Sequence, residues 1–222
     1  MLEDERKGRM KPGQDLVAVG QIGRPGTRAL AEGQKEELSR WFSQNYQKQI
    51  AESREPEVSR HLDYFRELGA AAYEPAGRGG ILKAIWDLTG ACRAGAVFWL
   101  RRIPVGQDTI EVCERCGANP YRLWCGSCMV LAAQNGGRIV EACHELGIPA
   151  AVIGQVTEGI AREMRHGDET GYLERPREDE LVRILGAEQA AALLSKEGIP
   201  AEELLLTELS PADGDPGMEE EE

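Results

Sequence analysis

Aromatic side chains are scarce in this 222-residue chain, at 5% of residues, and histidine occurs only at His61, His144 and His166. The three fall in separate segments with no common spacing, so no histidine-based metal or acid–base centre is expected. No apolar run approaches the ~20 residues needed to cross a bilayer, which argues against membrane partners. The opening Met1-Leu-Glu-Asp-Glu-Arg-Lys has no apolar stretch and reads as no secretory signal, so a cytoplasmic location is expected. After Lys196 there is no Lys or Arg, only ten acids, and no basic stripe elsewhere suggests nucleic acid as a partner. A nucleophile paired with a base for acyl transfer is missing as well.

What is present suits one large domain with ragged ends. Hydrophobic residues make up 41% of the chain, enough for a substantial core. The net charge of −12 sits mostly in the tail that ends Glu219-Glu222, leaving the body close to neutral. A solvated acidic tail is the simple reading, and a docking tail for a basic partner the other. The boundaries read as a flexible leader over 1–12, a domain over 13–188 and a helical-to-disordered acidic tail over 189–222. Six cysteines in a reducing compartment are expected as thiols or metal ligands rather than disulfides.

Hydrophobic periodicity predicts strands at Leu16-Val17-Ala18-Val19, at Gly69–Tyr73, at Val97–Leu100, at Met129–Ala132 and at Ala150–Ile153, with Gly154 allowing a bend. Two more short strands are expected near Ala161–Met164 and Gly171–Leu173. A polar helix is expected from Thr27 to about Ile50, with Leu30, Leu38, Trp41 and Phe42 facing inward. Further helices are expected at Val58–Leu68, from Gly80 with Ile81, Ile85, Leu88 and Cys92 on one face, and over a stretch with Ile139, Val140, Cys143 and Leu146 inward. Asp108 with Glu111 forms a capping-box pattern for a helix to Cys116, and a last helix runs from Glu178 to about Leu185. Such alternation predicts an α+β fold, a mixed sheet packed with helices.

Three motifs could carry chemistry. Gly20-x-Ile22-Gly23-x-x-Gly26 follows a strand and precedes a helix, so its amides could approach an anion; an ordinary tight turn is the plain alternative. Arg78-Gly79-Gly80 opens a helix, pairing a planar cationic fork with exposed amides, or else is a glycine turn beside a surface arginine. Cys113-x-x-Cys116 and Cys125-Gly-Ser-Cys128 have the spacing of two zinc knuckles. Packed core thiols and a redox dithiol remain open for the same four residues.

In order along the chain, these pieces resemble the carboxy-terminal domain of the AIR synthase (aminoimidazole ribonucleotide synthetase) superfamily, most closely its hydrogenase-maturation type. The resemblance is carried by Pro12-Gly13-x-Asp15 with Gly20–Gly26, by Arg78-Gly79-Gly80-Ile81-Leu82 and by Ile103-Pro104-Val105. It continues through Glu111-Val112-Cys113, Asn119-Pro120-Tyr121, Gly126-Ser127 and Gly147-Ile148-Pro149-Ala150-Ala151-Val152-Ile153-Gly154. Coverage runs roughly from Pro12 to Gly186. The resemblance implies a mixed sheet with helices and a partner domain, amino-terminal in full-length members, that supplies most of an ATP site. Gly20, Gly23, Gly26, Arg78, Gly79, Gly80, Gly126 and Ser127 would then lie near phosphates and substrate.

Departures from the family pattern shape the functional expectation. The pattern begins within about a dozen residues of Met1, and Pro75-Ala76-Gly77 stands where an acidic residue is expected, with Glu74 one place out of register. ATP chemistry needs carboxylates to hold magnesium, so independent catalysis is not expected. The chain reads as a stand-alone ligand- or partner-binding module. The alternatives are one subunit of a split synthetase or maturation factor, with ATP-magnesium only if a partner chain supplies the missing domain, and a zinc-stabilised interaction module. A separate ATP-binding chain or a second copy is the expected partner.

Overall fold

Leu16 and Ala18 point to one side of their strand and Val17 and Val19 to the other, yet all four are buried. Successive side chains alternate across a sheet, so burial on both sides requires helices on both faces. The computed structural model describes residues 8–199 and shows this arrangement. Its strands are β1 (Asp15–Val19), β2 (Ala70–Ala76), β3 (Gly95–Trp99), β4 (Cys128–Ala133), β5 (Ala150–Thr157), β6 (Arg162–His166) and β7 (Glu169–Tyr172). They form one sheet in the order β2-β4-β1-β5-β3-β6-β7, antiparallel except for the parallel pair β3–β6. An α+β fold with a mixed sheet is therefore what the chain adopts.

The helices are α1 (Arg24–Gly33), α2 (Lys35–Leu38), α3 (Gln44–Glu52), α4 (Leu62–Glu67), α5 (Gly80–Ala91), α6 (Gln107–Cys116), α7 (Gly136–Glu145), α8 (Glu180–Leu185) and α9 (Ala187–Ser195). One core lies under α5, where Ile81, Ile85 and Leu88 meet Leu16, Ala18, Phe98 and Val130. On the opposite face Phe65 of α4 and Ile139 and Cys143 of α7 cover Val17, Val19 and Leu131. Burying a side chain the size of Phe98 contributes roughly 2–3 kcal/mol. A third cluster is helical, with Leu30, Leu38, Ile50, Val112, Leu181, Ala190 and Leu194 joining the helices beyond the sheet.

Several local expectations change. The single helix from Thr27 to Ile50 is three helices, because the chain turns after Leu38 and restarts where Ser43 accepts a hydrogen bond from the Tyr46 amide at 3.2 Å. Trp41 sits in that turn and is 59% exposed rather than inward, its ring 4.3 Å from the Arg115 guanidinium. Leu146 is also outward, 41% exposed at the end of α7. The capping box does not form: Gly106 is the N-cap of α6, and Asp108 and Glu111 have other partners. At Gly154 the bend appears as a bulge, since Leu16 pairs with Gly154 but Val17 with Val152, leaving Ile153 as the extra residue.

The ends differ from a simple frayed picture where they are described. The Arg9 amide donates to the Ala71 carbonyl at 3.1 Å, and Met10 is buried in the core under α5. Of the 189–222 tail, α9 covers the first part; residues 200–222, like 1–7, lie outside the described residues. Among the described residues no helix is long and apolar enough to cross a membrane.

Candidate functional site

Antiparallel pairing sets the position of the site. Val19 at the end of β1 is opposite Met129, and Ala76 at the end of β2 is opposite Cys128, so both strands finish where β4 begins. The loops that leave β1 and β2 and the segment that enters β4 must therefore meet at one end of the sheet. They interlock there. The Gly23 amide donates to Cys125 Sγ at 3.1 Å, the Gly26 amide to the Trp124 carbonyl at 3.3 Å, and the Cys125 amide to the Gly77 carbonyl at 3.0 Å. Gly20 has φ +87°, and a methyl group there would stand 2.3 Å from the Ser127 carbonyl oxygen. Gly126 packs on Pro25. Structure thus brings Gly20, Gly23, Gly26, Arg78, Gly79, Gly80, Gly126 and Ser127 to one place.

Most of the glycine amides in these loops have internal partners. Besides the Gly23 and Gly26 bonds, the Gly20 amide donates to Pro149 at 2.7 Å and the Gly80 amide to Gly77 at 3.1 Å. The Gly79 amide donates to Asp179 Oδ2 at 2.6 Å. Asp179 is 1% exposed and caps α8, its Oδ1 accepting from the Leu181 amide at 2.8 Å. Burial pushes its carboxyl up to about 6, opposed by the amides of Gly79, Leu181 and Trp124 and by the Arg78 charge. At the mouth of α5 the anion is the chain's own.

A second feature is an open cleft of about 510 Å³ between Gln21 of the first loop, Arg24 at the start of α1, Tyr46 of α3, the N-cap Gly106, and Gln107, Asp108 and Glu111 of α6. Arg24 Nη1 meets Asp108 Oδ2 at 2.5 Å. Glu111 accepts from the Tyr46 hydroxyl at 2.6 Å and from Gln107 Nε2 at 2.7 Å, bonds that hold its carboxyl below the usual range. Burial first, then Glu111, raises the Tyr46 hydroxyl. Beneath the cleft the Thr27 and Thr109 hydroxyls, both buried, bond at 2.9 Å and fix α1 to α6.

The four thiols do not assemble. Cys113 and Cys116 are on α6 against the helical cluster, whereas Cys125 and Cys128 face the core under α5. Among the described residues no three His, Cys, Asp or Glu side chains gather closely enough to hold a metal ion. Burial pushes the Cys113 thiol up to about 12, and a hydrogen bond with Cys125 together with burial raises Cys128 well above the ordinary thiol range. The donor set does not fit a tetrahedral Cys₄ site. Ellman's reagent is expected to label Cys92 and Cys116 of the native protein and to spare Cys113, Cys125, Cys128 and Cys143 until denaturant is added; rapid native labelling of all six thiols would contradict this burial.

Asp179, Arg24 and the cleft side chains of α6 carry no mark as site residues in the sequence. Asp179 falls one residue inside the helix expected from Glu178, so only its place near a helix start was legible. Its partner, 100 residues away, was not.

No family model matches the chain, and no curated protein matches it. Solved structures do. E. coli HypE, a hydrogenase maturation protein, has TM-score 0.62 and 23% identity over 79% of this chain and 53% of that one. HypE in its complex with HypF gives 0.60 and 18% identity over 76% and 54%. Thiamine-monophosphate kinase from Stenotrophomonas maltophilia gives 0.56 and 15% identity over 75% and 54%. The fold is AIR synthase-like, and the chain spans about half the length of these neighbours.

Proposed function

We propose that this domain is a ligand- or partner-binding module of AIR synthase type that performs no ATP chemistry alone and works with an ATP-binding domain on a separate chain or a second copy. The observation that carries this reading is the interlocked end of the sheet. The three loops that the resemblance assigns to phosphate and substrate converge there, yet the amides of Gly20, Gly23, Gly26, Gly79 and Gly80 are bonded internally. Phosphoryl transfer depends on positioned donors and magnesium-bound carboxylates around the phosphates. Loops whose donors are already engaged present a shaped surface, with Arg24, Arg78 and Ser127 as side chains, rather than a complete phosphate cradle. The complex of HypE with HypF supports a protein partner as one mode of action for this fold.

Two assays test the reading. Purified chain is expected to release no phosphate from MgATP and to show no thermal shift with it. Adding the ATP-binding domain of an AIR synthase-like protein from the same organism is expected to produce a MgATP-dependent shift. Hydrolysis of MgATP by the chain alone would overturn the proposal.

A further inference from the structure

Helices cover only part of one face of the sheet. Pairing through Gln155 puts Val97 on the face of Asp15 and Val17, and alternation adds Trp99. Arg165, Thr170, Glu163 and Tyr172 join them through the pairs Trp99–Arg165, Arg165–Thr170 and Glu163–Tyr172. On this face α4 and α7 close over Val17, Val19 and Leu131, but none of the three core clusters includes Val97, Trp99 or Tyr172. The other side of the same strands is closed, since Ala96, Phe98 and Met164 pack under α5. The open half is aromatic and cationic. The guanidiniums of Arg102 and Arg165 lie 4.4 and 5.4 Å from the Trp99 ring, and Tyr172 is 68% exposed. Arg165 pairs with Glu163 at 2.7 Å, whereas Arg101 and Arg102 are exposed and pair with no carboxylate among the described residues.

We propose that the chain's own segment 202–209 docks on this open half-face, its leucines against Val97, Trp99 and Tyr172 and its carboxylates on Arg101, Arg102 and Arg165. The inference goes beyond the module reading and does not depend on it. Two observations select this occupant. The first is complementarity: residues 200–222 contain no Lys or Arg, and Leu204, Leu205, Leu206 and Leu209 stand among Glu202, Glu203 and Glu208. Leucines suit the exposed aromatic surface and carboxylates the unpaired guanidiniums. The second is reach. β1 and β3 both run antiparallel to β5, and β6 runs parallel to β3, so Trp99 and Arg165 lie at the sheet end where β1 leads into the helical cluster. Ile199 packs on that cluster, so the segment departs from the same end. At about 3.3 Å per residue, residues 200–222 extend as far as ~75 Å, several times the ~16 Å radius of gyration expected for a domain of this size. A partner that brings its own acidic segment to this face must displace the docked one.

Hydrogen exchange on the full chain tests the docking. The amides of Leu204, Leu205, Leu206 and Leu209 are expected to exchange at least tenfold more slowly in the wild type than in Arg102→Glu. Adding Glu202→Arg and Glu203→Arg to that variant is expected to restore the protection, which a merely structural role of Arg102 would not do. Should Arg102→Glu not fold, Glu208→Lys decides, because it leaves the sheet untouched and is expected to speed exchange of the same amides at least threefold. Equal exchange in the wild type and in these variants overturns the proposal, as does a wild type whose leucine amides are unprotected, the result expected if the face is kept for another protein. Protection that fades on dilution assigns the face to the segment of a second copy and overturns docking within one chain. The MgATP assays involve none of these residues, so failure of the docking and failure of the module reading are told apart.

Discussion

Gly20→Ala is expected to destabilise the domain by roughly 4 kcal/mol, a large share of the 5–15 kcal/mol typical of natural domains. Two effects add. A left-handed φ of +87° costs an alanine about 1–2 kcal/mol. The new methyl also meets the Ser127 carbonyl oxygen at 2.3 Å and Cys128 Cα at 3.0 Å, backbone atoms that cannot rotate aside. Gly147→Ala separates the two, because Gly147 has φ +68° with nothing within 4 Å of the added methyl. That control is expected to cost only about 1–2 kcal/mol. Urea midpoints measured side by side give the difference, and equal losses would show that the loops do not interlock as described.

Asp179 should dominate the acid-side stability of the domain. Its carboxyl is near 3.8 unfolded and about 6 folded, so between these values the folded chain binds more protons. Stability from this group is therefore fully present below pH ~4 and lost as pH rises through about 6, by about 3 kcal/mol in all. Asp179→Ala removes the titration and leaves the Gly79 and Leu181 amides without their acceptor, each costing about 1–3 kcal/mol when buried. The variant's deficit is expected to be greatest near pH 4 and to shrink by about 3 kcal/mol at pH 8. Denaturation curves of both proteins across that range provide the test. A deficit independent of pH would mean that Asp179 keeps an ordinary carboxyl in the folded state.

Much of the fold was legible because its signals are local. The apolar runs of β1 and β4 and the four-three spacing of Ile81, Ile85 and Leu88 each follow from one segment being buried on one or both sides. The order of Gly20–Gly26, Arg78–Gly80 and Gly147–Gly154 likewise led to the AIR synthase-like fold that the structural neighbours share. Misjudged elements had competing local readings. Trp41 fitted a helical stripe but lies in the turn between two helices, and Asp108 with Glu111 fitted a cap but bonds instead to Arg24 and Tyr46.

The cysteines show the same limit from the other side. Spacing of two residues within each pair is local and suits a metal, whereas the direction each pair faces depends on which core its element joins. Cys113 packs in the helical cluster and Cys128 under α5, a division that no local spacing contains. Composition and pattern alone determined the strands, most of the helices and the glycine loops between them. Tertiary structure decided which donors in those loops are already bonded, because the acceptors come from Pro149, Trp124 and Asp179, brought close only when the sheet and the helical cluster close on each other.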